Sequence, residues 1–245
     1  PQLYQSLLQQ TCKDFIWLVI DDGSTDHTAQ LLQSWQKENK IKIQYIKQEN
    51  QGMHGAHNTA YQNCSTPFNT CIDSDDFMPK NAVERILFYI SQMPQHLAGI
   101  VGLDADKNTG EIIGTKIPNH LKEVKLNELY QLYRVKGDKK LVLKTEIVKK
   151  YPPYPLFEGE RFVPLDYLYL LMNQDYSFMP VNEVFCIVEY QPDGSTQNIF
   201  KQYKNNPNGF AFSRISRIRY GETWQERFKN AIHLVSSAIF SRKVK

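Results

Sequence analysis

Three aspartates, Asp73, Asp75 and Asp76, follow an apolar run at residues 68–72 that reads as a short buried strand. Carboxylates crowded at the mouth of a strand repel one another unless something cationic sits among them. Hard oxygen donors of this kind suit Mg²⁺ or Mn²⁺, which take one or two protein carboxylates and complete their shells with substrate phosphates. A solvated acidic turn would give the same letters, and Asp-x-Asp alone is a short signal. A second acidic strand end changes the balance. Asp21-Asp22-Gly23-Ser24-Thr25-Asp26 closes the continuous apolar run at residues 15–20, the pattern of a parallel strand covered on both faces.

The elements that would position these carboxylates follow from periodicity. Leu3, Leu7 and Leu8 give a helix at residues 3–10. Ser24 or Thr25 can cap a helix running through Ala29, Leu31, Leu32 and Trp35. Residues 41–46 alternate as a strand. The segment Asn50-Gln51-Gly52-Met53-His54-Gly55-Ala56-His57-Asn58 then reads as a glycine-bearing turn opening a helix near Tyr61. Helices at 81–93 and 126–133 and strands at 98–103, 139–143 and 184–190 complete the pattern. Proline and aromatic residues over 151–164 mark a shaped loop, and 166–172 looks helical. Alternating strands and helices predict an α/β fold, a Rossmann-like, mostly parallel sheet with helices on both faces. Ligands of such sheets bind beyond the carboxyl ends of the strands. The two acidic strand ends are therefore expected to face one crevice. Asp166 stands at a helix start, where a carboxylate is favoured by capping and by the helix dipole.

Composition sets the outer bounds. The chain has 245 residues, 41% hydrophobic and 12% aromatic, ordinary for a globular protein. It contains neither a run of about 18 apolar residues nor a basic–apolar start of signal type. Cys12, Cys64, Cys71 and Cys186 form no Cys-x-x-Cys pair and read as buried thiols of a reducing compartment, which points to the cytosol. The net charge of +3 is unevenly spread. Residues 199–245 carry ten Lys and Arg (among them Arg242, Lys243 and Lys245) against Glu222 and Glu226, a net +8, leaving residues 1–198 at −5. Within that tail Trp224, Phe228, Ala231, Ile232, Val235, Ala238, Ile239 and Phe240 recur near helical spacing. An amphipathic helix on an anionic membrane fits this pattern, as does a helix packed on the body with its cations solvated. An acidic body argues against nucleic acid as a partner. Trp17 and Trp35 read as core.

In this order the pieces resemble a GT-A glycosyltransferase of family 2, over about residues 1–195. Asp21-Asp22-Gly23-Ser24 is similar to the family's nucleotide-binding strand end. Asn50-x-Gly52 with Asn58 is similar to its Asn-x-Gly-x-x-x-Ala-Arg-Asn turn, and Asp73-Ser74-Asp75 to its metal-binding Asp-x-Asp. The resemblance implies an inverting, metal-dependent transfer from a nucleotide-diphosphate sugar, UDP first among them, to a glycan or lipid-linked acceptor. It places Mn²⁺ or Mg²⁺ on Asp75, with Asp73 and Asp76 beside it. It places the donor near Asp21, Asp22, Gly23, Ser24, Asn50, Gly52, His54, His57 and Asn58, and makes Asp166 the general base with Glu160 and Glu158 as rivals.

The sequence departs from the family pattern in places. It begins in a helix where the family has a strand and a uracil-holding turn. His57 stands where arginine is usual, and Leu165-Asp166 replaces a Glu-Asp pair. No Gln-x-x-Arg-Trp motif is present, which implies one sugar per encounter. Tyr190, Asp193 and Ser195 form a turn that could close over the donor or be ordinary surface. The sequence thus divides into a catalytic domain over 1–198 and a basic helical extension over 199–245, and the cysteines and the tail's charge point to a cytoplasmic protein peripheral to the membrane. A nucleotidyltransferase and a catalytically silent nucleotide-sugar-binding subunit are the alternatives.

Overall fold

The computed structural model describes residues 1–189 and 199–241. The turn with Tyr190, Asp193 and Ser195, the boundary at residue 198, and Arg242, Lys243 and Lys245 lie outside the described residues. The elements run α1 (Gln2–Leu8), β1 (Ile16–Asp22), α2 (Thr28–Glu38), β2 (Lys42–Gln48), α3 (Gly52–Asn63), β3 (Phe68–Asn69), α4 (Ala82–Gln92) and β4 (Gly99–Asp106). There follow α5 (Leu126–Gln131), β5 (Lys139–Lys144), α6 (Thr145–Val148), α7 (Asp166–Asp175), β6 (Met179–Val188), α8 (Ile199–Asn205), α9 (Pro207–Tyr220) and α10 (Trp224–Ser241).

The fold is α/β, and its strands combine parallel and antiparallel pairings. β1 and β2 pair in parallel as a two-stranded sheet, and a second sheet has the order β3-β5-β4-β6. There β4 is antiparallel to β5 and parallel to β6, while β3 is antiparallel to β5. The central strand β4 is buried along nearly its whole length, and its alternating side chains feed two cores. Val101 and Leu103, with Leu143, pack among Leu129, Leu168, Met172 and Phe178. Ile100, with Val142, Val181 and Phe185, packs among Tyr4, Leu7, Val83 and Ile86. Period-two alternation thus assigns each face of the sheet its own apolar layer. Tyr4 ties the small sheet to the second layer by stacking on Trp35 at 4.2 Å and on Trp17 at 5.9 Å. Both tryptophans pack in that core, as their sequence context predicts.

Several local expectations are corrected. The strand before Asp73 is only Phe68–Asn69. The α2 start takes its cap from neither Ser24 nor Thr25; Asp26 accepts the Thr28 N–H at 3.0 Å. The segment 50–58 is mostly helix, because α3 begins at Gly52 and carries His54, His57 and Asn58. Asp166 is the first residue of α7, one position inside the cap. The described part of the basic tail forms three helices, and Phe212 of α9 packs against the first core.

Candidate active site

Around the four-stranded sheet lies a cleft of about 550 Å³, lined by Asp73, Asp76, Asp104, Lys140, Asp166, Tyr169 and Arg217 among others. The turn after β3, the strand pair β4–β5 and the start of α7 meet there, with α5, the end of β6, α9 and α10 completing the wall. The turn is closed by the Asp76 N–H donating to the Asp73 carbonyl at 3.0 Å. Asp76 is 5% exposed, and its Oδ1 accepts the Glu189 N–H at 3.1 Å. Burial pushes its carboxyl above the ordinary range, the Glu189 bond pulls it back, and the charges of Asp73 and Asp75 push it up again. Asp75 is exposed, does not line the cleft, and accepts no hydrogen bond from the described residues.

Asp104 lies near the end of the buried part of β4. Its Oδ1 is buried without a hydrogen-bond partner among the described residues, and Lys140 Nζ stands 3.9 Å from it. Burial raises the Asp104 carboxyl to about 6 against the opposing pull of Lys140. Burial works against the Lys140 charge, but Asp104, the two thiols Cys186 and Cys71, and Asp73 outweigh it and hold the ammonium above its usual value. The cleft floor is thus a Lys among carboxylates.

Asp166 is held from α9. Arg217 Nε–H donates to its Oδ2 at 2.6 Å, and the Ser213 hydroxyl reaches Oδ1 at 3.3 Å. Arg217 also meets Glu226 of α10 at 3.1 Å. The Arg217 and Ser213 contacts together fix the orientation of the carboxylate.

The model of the family described as "Glycosyl transferase family 2" matches residues 1–151. The chain belongs to that family. Among similar proteins, chondroitin synthase of Escherichia coli is 40% identical over 83 residues, 34% of this chain and 12% of that protein. Glycosyltransferase GlyA of Streptococcus pneumoniae is 37% identical over 81 residues, 33% of this chain and 12% of that protein. The teichoic acid poly(glycerol phosphate) polymerase of Staphylococcus epidermidis is 33% identical over 89 residues, 36% of this chain and 12% of that protein. The chain therefore spans about an eighth of the length of these relatives, 12% in each case. S. aureus TarS 1-349, solved in complex with UDP-GlcNAc, superposes with a TM-score of 0.64 at 16% identity, covering 96% of this chain and 67% of that one. The complex with UDP gives 0.61 at 17% identity, with 96% and 66% covered. These neighbours place the α/β architecture with the GT-A fold.

Seen as a family 2 chain, the sequence-selected residues divide into those brought to the cleft and those used to build its walls. Asp73, Asp76 and Asp166 reach it together. Asp21 and Asp22 do not line it, so the expected single rim is not formed by both acidic strand ends. Asp21 accepts from Ser24 N–H at 2.7 Å and from Tyr45 Oη at 2.5 Å, with Lys47 at 3.9 Å. Burial pushes the Asp21 carboxyl up, but these hydrogen bonds and Lys47 outweigh it and hold it below its ordinary value. The same contact, with burial, raises Tyr45 to about 12. Asp22 Oδ1 accepts from Gln48 and from the Gln51 N–H at 2.7 and 2.8 Å, while Asn50 donates to the Asp22 carbonyl at 2.9 Å. These contacts fix the entry to α3.

The α3 residues serve the loop 151–164. Asn58 exchanges two 2.8 Å hydrogen bonds with the Tyr154 backbone. His54 Nδ1 accepts the Val163 N–H at 3.2 Å, and burial lowers its imidazole below the ordinary value. His57 is buried against Tyr61, and burial lowers it too. Gly52 has φ +79°, and a Cβ there would stand 1.9 Å from the Arg161 carbonyl oxygen. Gly23, at φ +84°, likewise lets the Asn50 backbone approach.

The two rivals of Asp166 are not in the cleft. Glu158 is exposed. Glu160 is 7% exposed, and both its oxygens are taken by the start of α9: Asn208 N–H and Nδ2 on Oε1 at 2.9 and 2.7 Å, Gly209 N–H on Oε2 at 2.8 Å. It is the cap of that helix, supplied from a distant loop.

Asp104, Lys140 and Arg217 were missed by sequence reasoning. Asp104 carried a legible signal, being a third acidic residue directly after an apolar run. Arg217 carried none, because its partner is 51 residues away.

As to metal, no three His, Cys, Asp or Glu side chains converge as a ready cage among the described residues. The donor chemistry nevertheless fits a hard cation. Asp73 and Asp75 are close enough to push up the Asp76 carboxyl, an excess of negative charge that an ion sharing carboxylate and phosphate oxygens would relieve.

Proposed function

We propose that this chain transfers one sugar per encounter, with inversion, from a nucleotide-diphosphate sugar to a hydroxyl of a glycan or lipid-linked acceptor. The single observation that carries this reading is the joint presence of Asp73, Asp76 and Asp166 in one cleft. That the TarS neighbours were solved with UDP and UDP-GlcNAc supports a UDP-sugar as the first donor to test. The relatives' names support a polysaccharide or cell-wall product.

In this reading Asp166 accepts the proton of the acceptor hydroxyl as it attacks the anomeric carbon. Arg217 fixes the carboxylate through Oδ2, and Oδ1, held only by the longer Ser213 contact, faces the hydroxyl. Lys140 offsets the crowded negative charge of the cleft. Asp75 and Asp73, whose oxygens are least engaged, are the residues that would hold Mn²⁺ or Mg²⁺, with Asp76 bracing the turn. The ion when bound supplies Lewis-acid neutralisation of the departing diphosphate. Asp22, with one oxygen unused, is the residue of the β1 end best placed to accept from a ribose or base.

The test is release of nucleoside diphosphate from a panel of nucleotide sugars with Mn²⁺ or Mg²⁺. Release from one donor that stops with EDTA, and falls at least about 10²-fold in Asp75→Ala and in Asp166→Asn, is the expected result. Release indifferent to metal would remove the role of Asp75 and Asp73. Full activity in Asp166→Asn would remove the base. Calorimetric binding of a nucleotide sugar without release would favour the silent subunit, and no release together with no binding of any nucleotide would end the transferase reading.

A further inference from the structure

The helix α10 is amphipathic the wrong way round for a helix of a soluble domain. Such a helix turns its apolar stripe to the core and its polar face to water. In α10 it is the polar face that packs inward. Glu226 contacts Arg217 and Gln131, and buried Ser237 accepts from Arg214 of α9. The apolar stripe faces out: Trp224, Phe228, Ile232 and Val235 are 74%, 52%, 56% and 61% exposed. Their spacing of four, four and three residues puts them in one line along the helix. The Trp224 and Phe228 rings stack on each other at 5.1 Å and 9°, an ordered surface rather than scattered apolar residues.

We infer that this stripe is a docking face for an anionic lipid surface. Charge selects the occupant. Lys201, Lys204, Arg219, Arg227 and Lys229 are exposed on the three C-terminal helices, and Glu222, in the turn between α9 and α10, is the one exposed acid of this region among the described residues. Two copies meeting stripe to stripe would bring these cations together, whereas anionic headgroups would neutralise them. The described extension therefore pairs an apolar stripe with flanking cations, the two ingredients of an interfacial helix. Arg214 and Arg217 take no part, since they are spent on holding α9 to α10 and to Asp166.

The geometry gives this face a consequence. Glu226 lines the cleft while Trp224 and Phe228 of the same helix face outward. The cleft thus stands within about one helix diameter, roughly 10 Å, of the proposed lipid surface. An acceptor carried on a lipid would be presented to it directly.

Vesicle binding needs no turnover, so this inference is tested apart from the transferase reading. The full chain is floated with phosphatidylglycerol vesicles and with phosphatidylcholine vesicles, and its tryptophan emission is followed. Trp17 and Trp35 lie in the core stack, so a blue shift on binding reports Trp224. Expected are binding to phosphatidylglycerol, weakening with salt, and a blue shift. A loss of about tenfold or more is expected in Trp224→Ser/Phe228→Ser/Ile232→Ser and, independently, in Arg227→Glu/Lys229→Glu. Equal flotation of wild type and both variants would overturn the inference, as would equal affinity for the two lipids. A dimer in light scattering that the triple serine variant dissolves, with no vesicle binding, would assign the stripe to a second copy instead.

Discussion

Replacing Glu160 by Gln separates a structural carboxylate from a catalytic one most sharply. The carboxylate accepts three hydrogen bonds at 2.7 to 2.9 Å from Asn208 and Gly209, the second and third residues of a helix whose own N-cap, Asn206, makes no side-chain cap bond. Gln offers one oxygen, and its NH₂ must then face a buried N–H donor. A hydrogen bond to a charged group contributes about 1.5–3 kcal/mol, and a carboxylate at a partly buried helix N-terminus up to about 2 kcal/mol more. Since the amide keeps part of the first contribution, a loss of about 3 kcal/mol is expected. For a chain of this size that lowers Tm by roughly 6–12 °C. Urea unfolding followed by circular dichroism measures the free energy, and nucleoside diphosphate release, assayed well below the new Tm, measures turnover. The expected outcome is a destabilised variant that keeps most of its turnover, with Glu158→Gln unchanged in both. A Glu160→Gln protein as stable as wild type but without turnover would refute the capping argument and move the base to Glu160.

Two further outcomes follow from the same structure. Gly52→Ala should cost roughly 2–4 kcal/mol, because the new Cβ would meet the Arg161 carbonyl in a left-handed backbone. Gly110→Ala, at φ +70° with open space around it, should cost only about 1 kcal/mol, and equal costs in denaturant would show that the contact with Arg161 is unimportant. The Asp104 carboxyl is raised to about 6 by burial, so the native state holds its proton over a window where the unfolded chain has lost it. Stability from this group therefore falls as pH rises from about 4 to about 6. The stability of Asp104→Asn relative to wild type should grow across that window and stay level above it. A pH-independent difference in urea titrations would contradict the assignment.

The sequence by itself determined the alternation of strands and helices, the acidic turn at Asp73–Asp76 and the core role of Trp17 and Trp35. These are local matters: period, apolar runs and turn residues are written in neighbouring letters. It also marked Asp166, although its motif could not distinguish a base from a cap. Tertiary structure decided what each carboxylate touches. Asp21 and Glu160 look as reactive in sequence as Asp75 and Asp166, yet their oxygens are consumed by Tyr45, Ser24, Asn208 and Gly209. Asn58 and His54 sit in a motif that reads as donor-binding but spend their polar atoms on the loop 151–164. Pairing of β4 with β5 and β6 brought Asp104 and Lys140 into the cleft, and the return of α9 brought Arg217 onto Asp166. A hydrogen bond spanning some fifty residues, 51 for that last pair, leaves no periodic trace in the chain. Nor could periodicity say which way the stripe of α10 would turn. That depended on Arg214 and Arg217 drawing its polar face inward.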